Sequence, residues 1–463
     1  MTEFILNDKL TKTSAKTGLS LLNYIREIEH QKGTKSGCKE GDCGACTVLV
    51  GTLKTDGTIR YKTITSCLSP LANAHGKHIV TVEGINLSDH LTATQHALRE
   101  HNGTQCGFCT PGFVMSLTGY ALEKNSELTA VESLGGNICR CTGYKSIEKA
   151  AFDIQLLVKN QIGDINWLVD NQFIPAYFKT IAERLKRILP STTATDEALV
   201  GGGTDVMVRH ADSLAEKNIS PTSKLAHSTI SIENSVCTLG GATTVAAFLE
   251  NNTIQNHFPK LKQHLKLVSS QQIRNMGSIA GNFVNASPIG DMSVFFLALN
   301  AQLNLIDKNQ QKRTIFLKDF FKDYKVYDLQ NGELIESVTF KIPTKQHYFN
   351  FEKVSKRTHL DIATVNAACC IEMKNETIKS AQIAIGGVAA IPKYLSKTNE
   401  FLNGKLLTEE TIKNANDILQ SEISPISDVR GTVDYKRLLA KQLFYAHFIE
   451  LFPNIIDSKT LLS

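Results

Sequence analysis

The sequence predicts a multidomain α+β protein, and three observations predict it. Strand and helix signals are segregated along the chain: β-rich runs fill the first ~75 residues, helical patterns follow, and the two mix from about residue 173 onward. Eight of the 11 cysteines lie before residue 142, so the N-terminal third has a chemistry of its own. At 463 residues, and with roughly 100–200 residues per domain, the chain has room for two to four separate cores.

Taken in order, "TEFILND" alternates like a strand, and "SLLNYIREIE" (20–29) spaces its apolar residues like a helix. "CTVLVGTLK" and "TIRYKTITSCL" are two β-rich runs around the turn "TDG". Helices are expected at "LTATQHALREH" (91–101), at "GFVMSLTGYALEK" (112–124) after Pro111, and at "SIEKAAFDIQLLVKN" (146–160). The polar stretch 160–172 reads as a linker. Strand "EALVGGG" (197–203) then opens a first glycine-rich loop, and "MGSIAGNFVNASPIGD" (276–291) holds a second. Beyond Pro343, runs 348–357, 364–373 and 380–395 read as strands, and 408–419 and 434–452 as helices.

Composition excludes several roles. The chain is 42% hydrophobic and 21% charged, as expected of a globular protein, and its net charge of +5 comes with no dense Lys/Arg run to hold nucleic acid. The N-terminus has no basic head followed by an apolar core, and no apolar run approaches the roughly 18 residues that span a membrane. The expected compartment is the cytoplasm, where clustered cysteines indicate metal rather than disulfides. Cys237, Cys369 and Cys370 stand apart and are expected as buried small hydrophobes.

Cys38, Cys43 and Cys46 have the spacing C-x4-C-x2-C, with Cys67 21 positions further on. This is the plant-type ferredoxin pattern for a [2Fe–2S] cluster. Gly37, Gly41, Gly44 and Ala45 are small enough to let backbone N–H groups turn toward sulfur. The competing four-cysteine zinc site usually shows two C-x2-C pairs. A second set comprises Cys106 and Cys109 in "TQCGFCTPGF" and Cys139 and Cys141 in "NICRCTGY". Both pairs precede expected helices, whose positive ends favour an anionic cluster, with Arg140 turned outward between its two cysteines. Spacing alone leaves zinc and iron–sulfur open for this set.

The loop Leu199, Val200, Gly201, Gly202, Gly203, Thr204, Asp205, Val206 is neither a P-loop nor G-x-G-x-x-G. Its glycines let backbone N–H groups approach a pyrophosphate, although an ordinary tight turn has the same look. The second loop adds Gly277, Ser278, Gly281 and Asn282, then Asp291, whose carboxylate suits ribose or ribityl hydroxyls.

Together, "QCGFCTPG" and "GNICRCTGY" beside the ferredoxin pattern resemble the molybdenum hydroxylase family. The resemblance implies that both cysteine sets hold [2Fe–2S] clusters, that the two glycine loops bind FAD, and that Gln105 and Cys141 approach a molybdopterin. It implies a β-grasp ferredoxin-like domain over 1–80, a four-helix [2Fe–2S] domain over 81–158, and an α+β FAD-binding domain of vanillyl-alcohol-oxidase (PCMH) type over 172–346. An α/β C-terminal flavoprotein domain over 350–460 completes the expected order. Lys353 and Asp361 become candidate flavin-side contacts, while Lys356 and Arg357 read as solvated charges. Asn285 departs from the mammalian pattern, standing where threonine is usual. Within the family the order is similar to the xanthine-oxidising type, with NAD+ as co-substrate. Since the chain ends at residue 463, the molybdopterin is expected on a separate large subunit, in an assembly of two small and two large chains. No catalytic acid or base for purine chemistry is recognised. Subunits acting on aldehydes, N-heterocycles or aromatic thioesters, and a stand-alone NADH-linked flavoprotein, are the competing readings.

Overall fold

A computed structural model describes residues 1–123, 128–190, 197–357 and 360–462. Lys124, the last residue of one expected helix, and positions 358–359 lie outside the described residues. The chain divides into two compact units, one of residues 1–224 with 270–277 and one of residues 225–269 with 278–463.

The first unit begins with a five-stranded sheet in the spatial order Lys9–Thr13, Thr2–Leu6, His78–Val80, Thr47–Leu53, Ile59–Thr65. Thr2–Leu6 and His78–Val80 run parallel, and the other neighbours are antiparallel. The predicted strand at the N-terminus is thus half of a hairpin, closed through Asn7 at φ 54°. The predicted helix 20–29 is a short α turn, Leu21–Asn23, that widens into a π turn over Tyr24–Ile28. His78 sits buried in this sheet, accepting from Tyr61 Oη at Nδ1 and donating from Nε2 to the Asn7 carbonyl.

Helices Ala93–Glu100, Thr110–Leu122 and Lys145–Val158 follow as predicted. Thr92 caps the first in a capping box with Gln95, and Pro111 occupies the opening turn of the second, where its missing N–H costs nothing. The expected linker at 160–172 contains a helix, Ile165–Asp170, capped by Asp164. Its buried Leu168 joins Phe173 and Phe178 in the core, and that burial outweighs the polar composition of the stretch.

Thr110–Leu122 is buried on every side and lies directly on the sheet. Two glycines seven residues apart permit this. A Cβ on Gly119 would stand 2.4 Å from Thr63 Cγ2 and 3.0 Å from Leu49 Cδ2, which form one cross-strand pair. A Cβ on Gly112 would stand 2.3 Å from the Gly44 carbonyl. The helix carrying Cys109 at its N-cap is therefore seated on the loop carrying Cys43 and Cys46.

The second unit holds a five-stranded antiparallel sheet, ordered Lys312–Phe316, Gln302–Ile306, Leu334–Lys341, Val236–Gly240, Ile230–Glu233. Its core is aromatic: Phe295 stacks within 4.6 Å of Phe349 and 5.5 Å of Phe296, ring centre to ring centre. Burying a phenylalanine is worth about 2–3 kcal/mol, and truncation adds the cost of a cavity. Phe295→Ala is expected to destabilise this unit by about 3–5 kcal/mol, measured as a shift in the denaturation midpoint. A four-stranded antiparallel sheet follows, ordered His347–Val354, Val365–Lys374, Thr377–Gly386, Lys393–Tyr394, packed against helices Ser396–Leu402, Glu409–Glu422 and Val433–Leu451. The expected run 380–395 breaks after Gly386 because Gly387 turns the chain at φ 85°. Cys237, Cys369 and Cys370 are buried, as expected. Among the described residues no helix is long and apolar enough to cross a membrane.

Candidate functional site

The loop between residues 35 and 46 is shaped by left-handed backbone at Lys39, Gly41 and Gly44 (φ 58°, 82° and 64°). That curvature turns amides inward: Glu40 N–H and Cys43 N–H each donate to Cys38 Sγ at 3.4 Å, and Cys38 N–H to Cys43 Sγ at 3.5 Å. Gly37 has no room for a side chain, since a Cβ would meet Cys43 Sγ at 2.8 Å. Cys67 reaches the same place from the 3-10 turn Ser66–Leu68, which Ser66 ties to the Cys46 carbonyl through its N–H at 3.2 Å and its hydroxyl at 2.7 Å. The thiols meet two by two. Cys38 is drawn down to about 4 by its hydrogen bond with Cys43, which is pushed up in return. Cys46 is lowered by Cys67, which is likewise raised.

The second set pairs in the same way, Cys106 with Cys141 and Cys109 with Cys139. Burial, then the contact with Cys139, pushes Cys109 up to about 12, while the Phe108 backbone N–H and then Cys141 lower Cys106. Tyr144, itself left-handed at φ 70°, accepts from Cys139 N–H at 3.0 Å, and Thr142 Oγ1 lies 3.2 Å from Cys139 Sγ. Arg140 is exposed, as expected, and so are Gln105, Cys106 and Cys141.

A tetrahedral zinc draws four sulfurs to one point. A [2Fe–2S] cluster takes two thiolates on each iron, with amides directed at the sulfurs. Two pairs on an amide-lined, glycine-tight loop fit the dinuclear group.

The two sets are directly joined. Ile138 N–H donates to the Cys43 carbonyl at 3.0 Å, so one hydrogen bond links a residue of the first set to the neighbour of Cys139. Asn137 Nδ2 donates to the Gly44 carbonyl at 3.1 Å. Asn137 was not found from sequence, because it bears no ligand and its partner is 93 positions away.

The first glycine loop runs from strand Ala198–Val200 to helix Val206–Ala215. A Cβ on Gly202 would lie 2.0 Å from the Met276 carbonyl, and one on Gly203, at φ 92°, would lie 2.4 Å from the Leu68 carbonyl. Asn73 Nδ2 donates to the Gly201 carbonyl at 3.3 Å. This loop is therefore pressed between the residue after Cys67 and the start of the second glycine loop. Thr204 Oγ1 lies 3.5 Å from where a Gly277 Cβ would stand, and Asp205 faces Arg209 at 3.7 Å. The bare backbone of the loop is a cradle suited to a pyrophosphate.

In the second unit Ser278 caps helix Ile279–Asn285 by accepting from Gly281 N–H at 3.1 Å, and Asn282 Oδ1 accepts from Ser293 N–H and Oγ, both at 3.1 Å. Asp291 has partners that its motif did not disclose. Lys353 Nζ donates to Asp291 Oδ2 at 2.7 Å and to the Leu267 carbonyl at 2.8 Å, and Asn366 Nδ2 donates to Asp291 Oδ1 at 2.6 Å. Lys353 is 1% exposed at its side chain, so the two candidate flavin contacts first hold each other, leaving Asp291 only its remaining lone pairs for a ligand hydroxyl. Lys353→Met removes the cation from a half-buried carboxylate that keeps only Asn366, and is expected to destabilise the unit by about 2–3 kcal/mol with weakened flavin retention, read from denaturation midpoint and bound-flavin absorbance. Asp361 is likewise engaged, by the Arg357 guanidinium and, at 2.9 Å, by the Arg357 N–H. Arg357 is exposed, as the reading of it as a surface charge expects, and its guanidinium pairs there with Asp361. Asn285, the departure from pattern, accepts from Lys325 Nζ at both its carbonyl and Oδ1, each at 2.6 Å.

Comparison with known proteins agrees with this geometry. Residues 4–72 match the 2Fe-2S iron-sulfur cluster binding domain, 81–152 the [2Fe-2S] binding domain, 170–345 the FAD binding domain in molybdopterin dehydrogenase, and 350–451 the CO dehydrogenase flavoprotein C-terminal domain. Xanthine dehydrogenase of Oryza sativa subsp. japonica is 30% identical over 94% of this chain and 38% of its own length. Aldehyde oxidase 1 of Bos taurus is 27% identical over 97% of this chain and 39% of its own. This chain thus spans about two-fifths of the length of those relatives. Among solved structures, carbon monoxide dehydrogenase from Hydrogenophaga pseudoflava shares the fold, with a TM-score of 0.52 and 23% identity over 56% of this chain and 91% of that one. The chain carries, in order, two iron–sulfur cluster binding domains, an FAD-binding domain and a flavoprotein C-terminal domain.

Proposed function

We propose that the chain is the electron-carrying subunit of a xanthine-oxidising molybdenum hydroxylase, passing reducing equivalents from a partner chain's molybdopterin site to NAD+. The observation that carries this reading is the unbroken run of contacts within the first unit. Exposed Cys106 and Cys141 stand at one end. The Ile138–Cys43 hydrogen bond lies in the middle, and the Leu68 carbonyl beneath Gly203 at the other end. When bound, two [2Fe–2S] clusters relay single electrons and FAD converts them to the hydride that NAD+ accepts.

The residues divide that work. Cys106, Cys109, Cys139 and Cys141 hold the outer cluster, and Cys38, Cys43, Cys46 and Cys67 the inner one. The candidate FAD residues are 199–206 in the first unit and, in the second, Ser278, Gly281, Asn282, Asp291 and Lys353. Gln105 and Cys141 face the partner's molybdopterin, on a surface where Phe108, Ile138 and Tyr144 are also exposed. The partner is a large molybdopterin-binding chain, in an assembly of two small and two large chains in the cytoplasm. The similarity to a xanthine dehydrogenase supports the purine substrate. The similarity to an aldehyde oxidase supports a second reading, in which the same subunit serves an aldehyde-oxidising partner.

Affinity purification of the chain with its native partner, followed by NADH formation from xanthine and NAD+, tests this. NADH accumulating in step with urate is the expected result. Oxidation of aldehydes alone favours the second reading. A chain that purifies from its host with no partner and forms no NADH from xanthine or aldehydes overturns both.

A further inference from the structure

We propose that Gln272 is a positioning residue that locks the two cysteine loops to each other. The inference rests on the iron–sulfur reading of those loops. Gln272 stands in the short helix Gln271–Arg274, inside the segment 270–277 that belongs to the first unit although the chain on either side of it belongs to the second. The segment is anchored along its length. Gln271 Nε2 donates to Glu123 Oε2 at 3.1 Å, and Glu123 in turn pairs with Lys62. Asn275 Nδ2 donates to the Thr63 carbonyl at 2.9 Å, and Thr65 Oγ1 lies 3.7 Å from Met276 Sδ.

Gln272 itself is fully buried, and its Nε2 spans two acceptors, Asn137 Oδ1 at 3.2 Å and Ser116 Oγ at 3.3 Å. Ser116 also donates to Asn137 Oδ1 at 2.7 Å. With its oxygen held from two sides, the Asn137 amide is fixed, so that Nδ2 reaches the Gly44 carbonyl between Cys43 and Cys46. Asn137 is also two residues from Cys139, and the next N–H along holds the Cys43 carbonyl. The position of one cysteine loop against the other thus runs through a single amide whose orientation Gln272 helps set.

The other end of Gln272 marks the same role. Its Oε1 is buried with no hydrogen-bond partner, close against Gly136, where an added Cβ would stand 2.0 Å away. An aliphatic side chain would fill this space without an unpaired acceptor. What the amide contributes is its pair of donor contacts, and an alanine at Gly136 would push on it from the opposite side.

The test is a low-temperature EPR redox titration of the full chain and of Q272L and G136A, with iron content measured alongside. Wild-type protein is expected to show two reduced-cluster signals with a magnetic interaction between them. Both variants should retain full iron yet show a changed interaction and a shifted midpoint for the inner cluster, which Gln272 does not touch. Full iron with wild-type midpoints and interaction in both variants overturns the inference. Loss of iron in Q272L overturns it too, because the residue would then be structural rather than positioning. Absence of cluster signals from the wild-type chain instead defeats the reading on which the inference rests.

Discussion

Replacing Cys67 by serine is expected to remove about half of the iron and to leave the outer cluster's signal in place. Cys67 is the one ligand of the inner set outside the 38–46 loop, and its partner Cys46 is buried with it. Loss of that thiolate leaves one iron of the pair without its second protein ligand, so the dinuclear group has no closed coordination. The outer set depends on none of these four residues for its thiols, and Cys106 and Cys141 meet at the surface. Iron and sulfide assay, with visible absorption of the folded variant, reads the result. Loss of all iron would instead mean that the two sites assemble as one.

Acid should unfold the second unit well before it disturbs an ordinary core. His264 and His447 are buried on either side of Asn350. His264 Nε2 donates to Asn350 Oδ1 at 3.1 Å, and Asn350 Nδ2 donates to His447 Nδ1 at 3.2 Å, so the accepting His447 ring must be neutral at Nδ1. Burial lowers His264 to about 4 and His447 to about 3, with the Asn350 hydrogen bond raising the first and the charge of His264 acting against protonation of the second. The surrounding charges are Glu352, which Asn350 Nδ2 also contacts at 2.9 Å, and the Lys260–Glu450 ion pair.

In the unfolded chain both histidines titrate near 6.5, so between that pH and their folded values the unfolded state binds more protons and stability rises with pH. The stabilisation is complete above about pH 6.5 and is lost downward toward pH 4 and then 3, on the order of 3 kcal/mol or more for each ring. Glu352 works in the opposite sense. Burial raises it, so it takes up a proton in the folded state first and recovers part of the loss as pH falls. His447→Phe is expected to flatten the dependence of the unfolding midpoint between pH 6.5 and 4 by about one proton. An unchanged slope would show that His447 is not held neutral.

How much of this was legible in the sequence depends on where each partner lies. The cysteine sets could be read because most ligands fall within a few residues of one another, and a tight loop needs recognisable small residues between them. The expected thiol chemistry of the outer set was also legible, but not that Cys106 pairs with Cys141 and Cys109 with Cys139. That pairing is decided by two loops about thirty residues apart. The glycine loops were legible as backbone cradles, and the structure adds that Gly202 and Gly203 are glycine because carbonyls of Met276 and Leu68 press on them.

Partners distant in sequence escaped. Asp291 was read as a partner for ligand hydroxyls, yet the cation that engages it in the structure is 62 positions away. Gln272 has no motif signature at all, and its contacts lie 135 and 156 positions off. Helix Ile165–Asp170 was missed because its polar surface hides a single buried anchor, Leu168, that only tertiary packing rewards.

The most direct test of the central claim is metal and sulfide analysis of the purified chain with EPR of its reduced state. The account predicts about four irons and four sulfides per chain and two distinct [2Fe–2S] signals. A colourless protein carrying zinc at these cysteines, or iron without acid-labile sulfide, would contradict it.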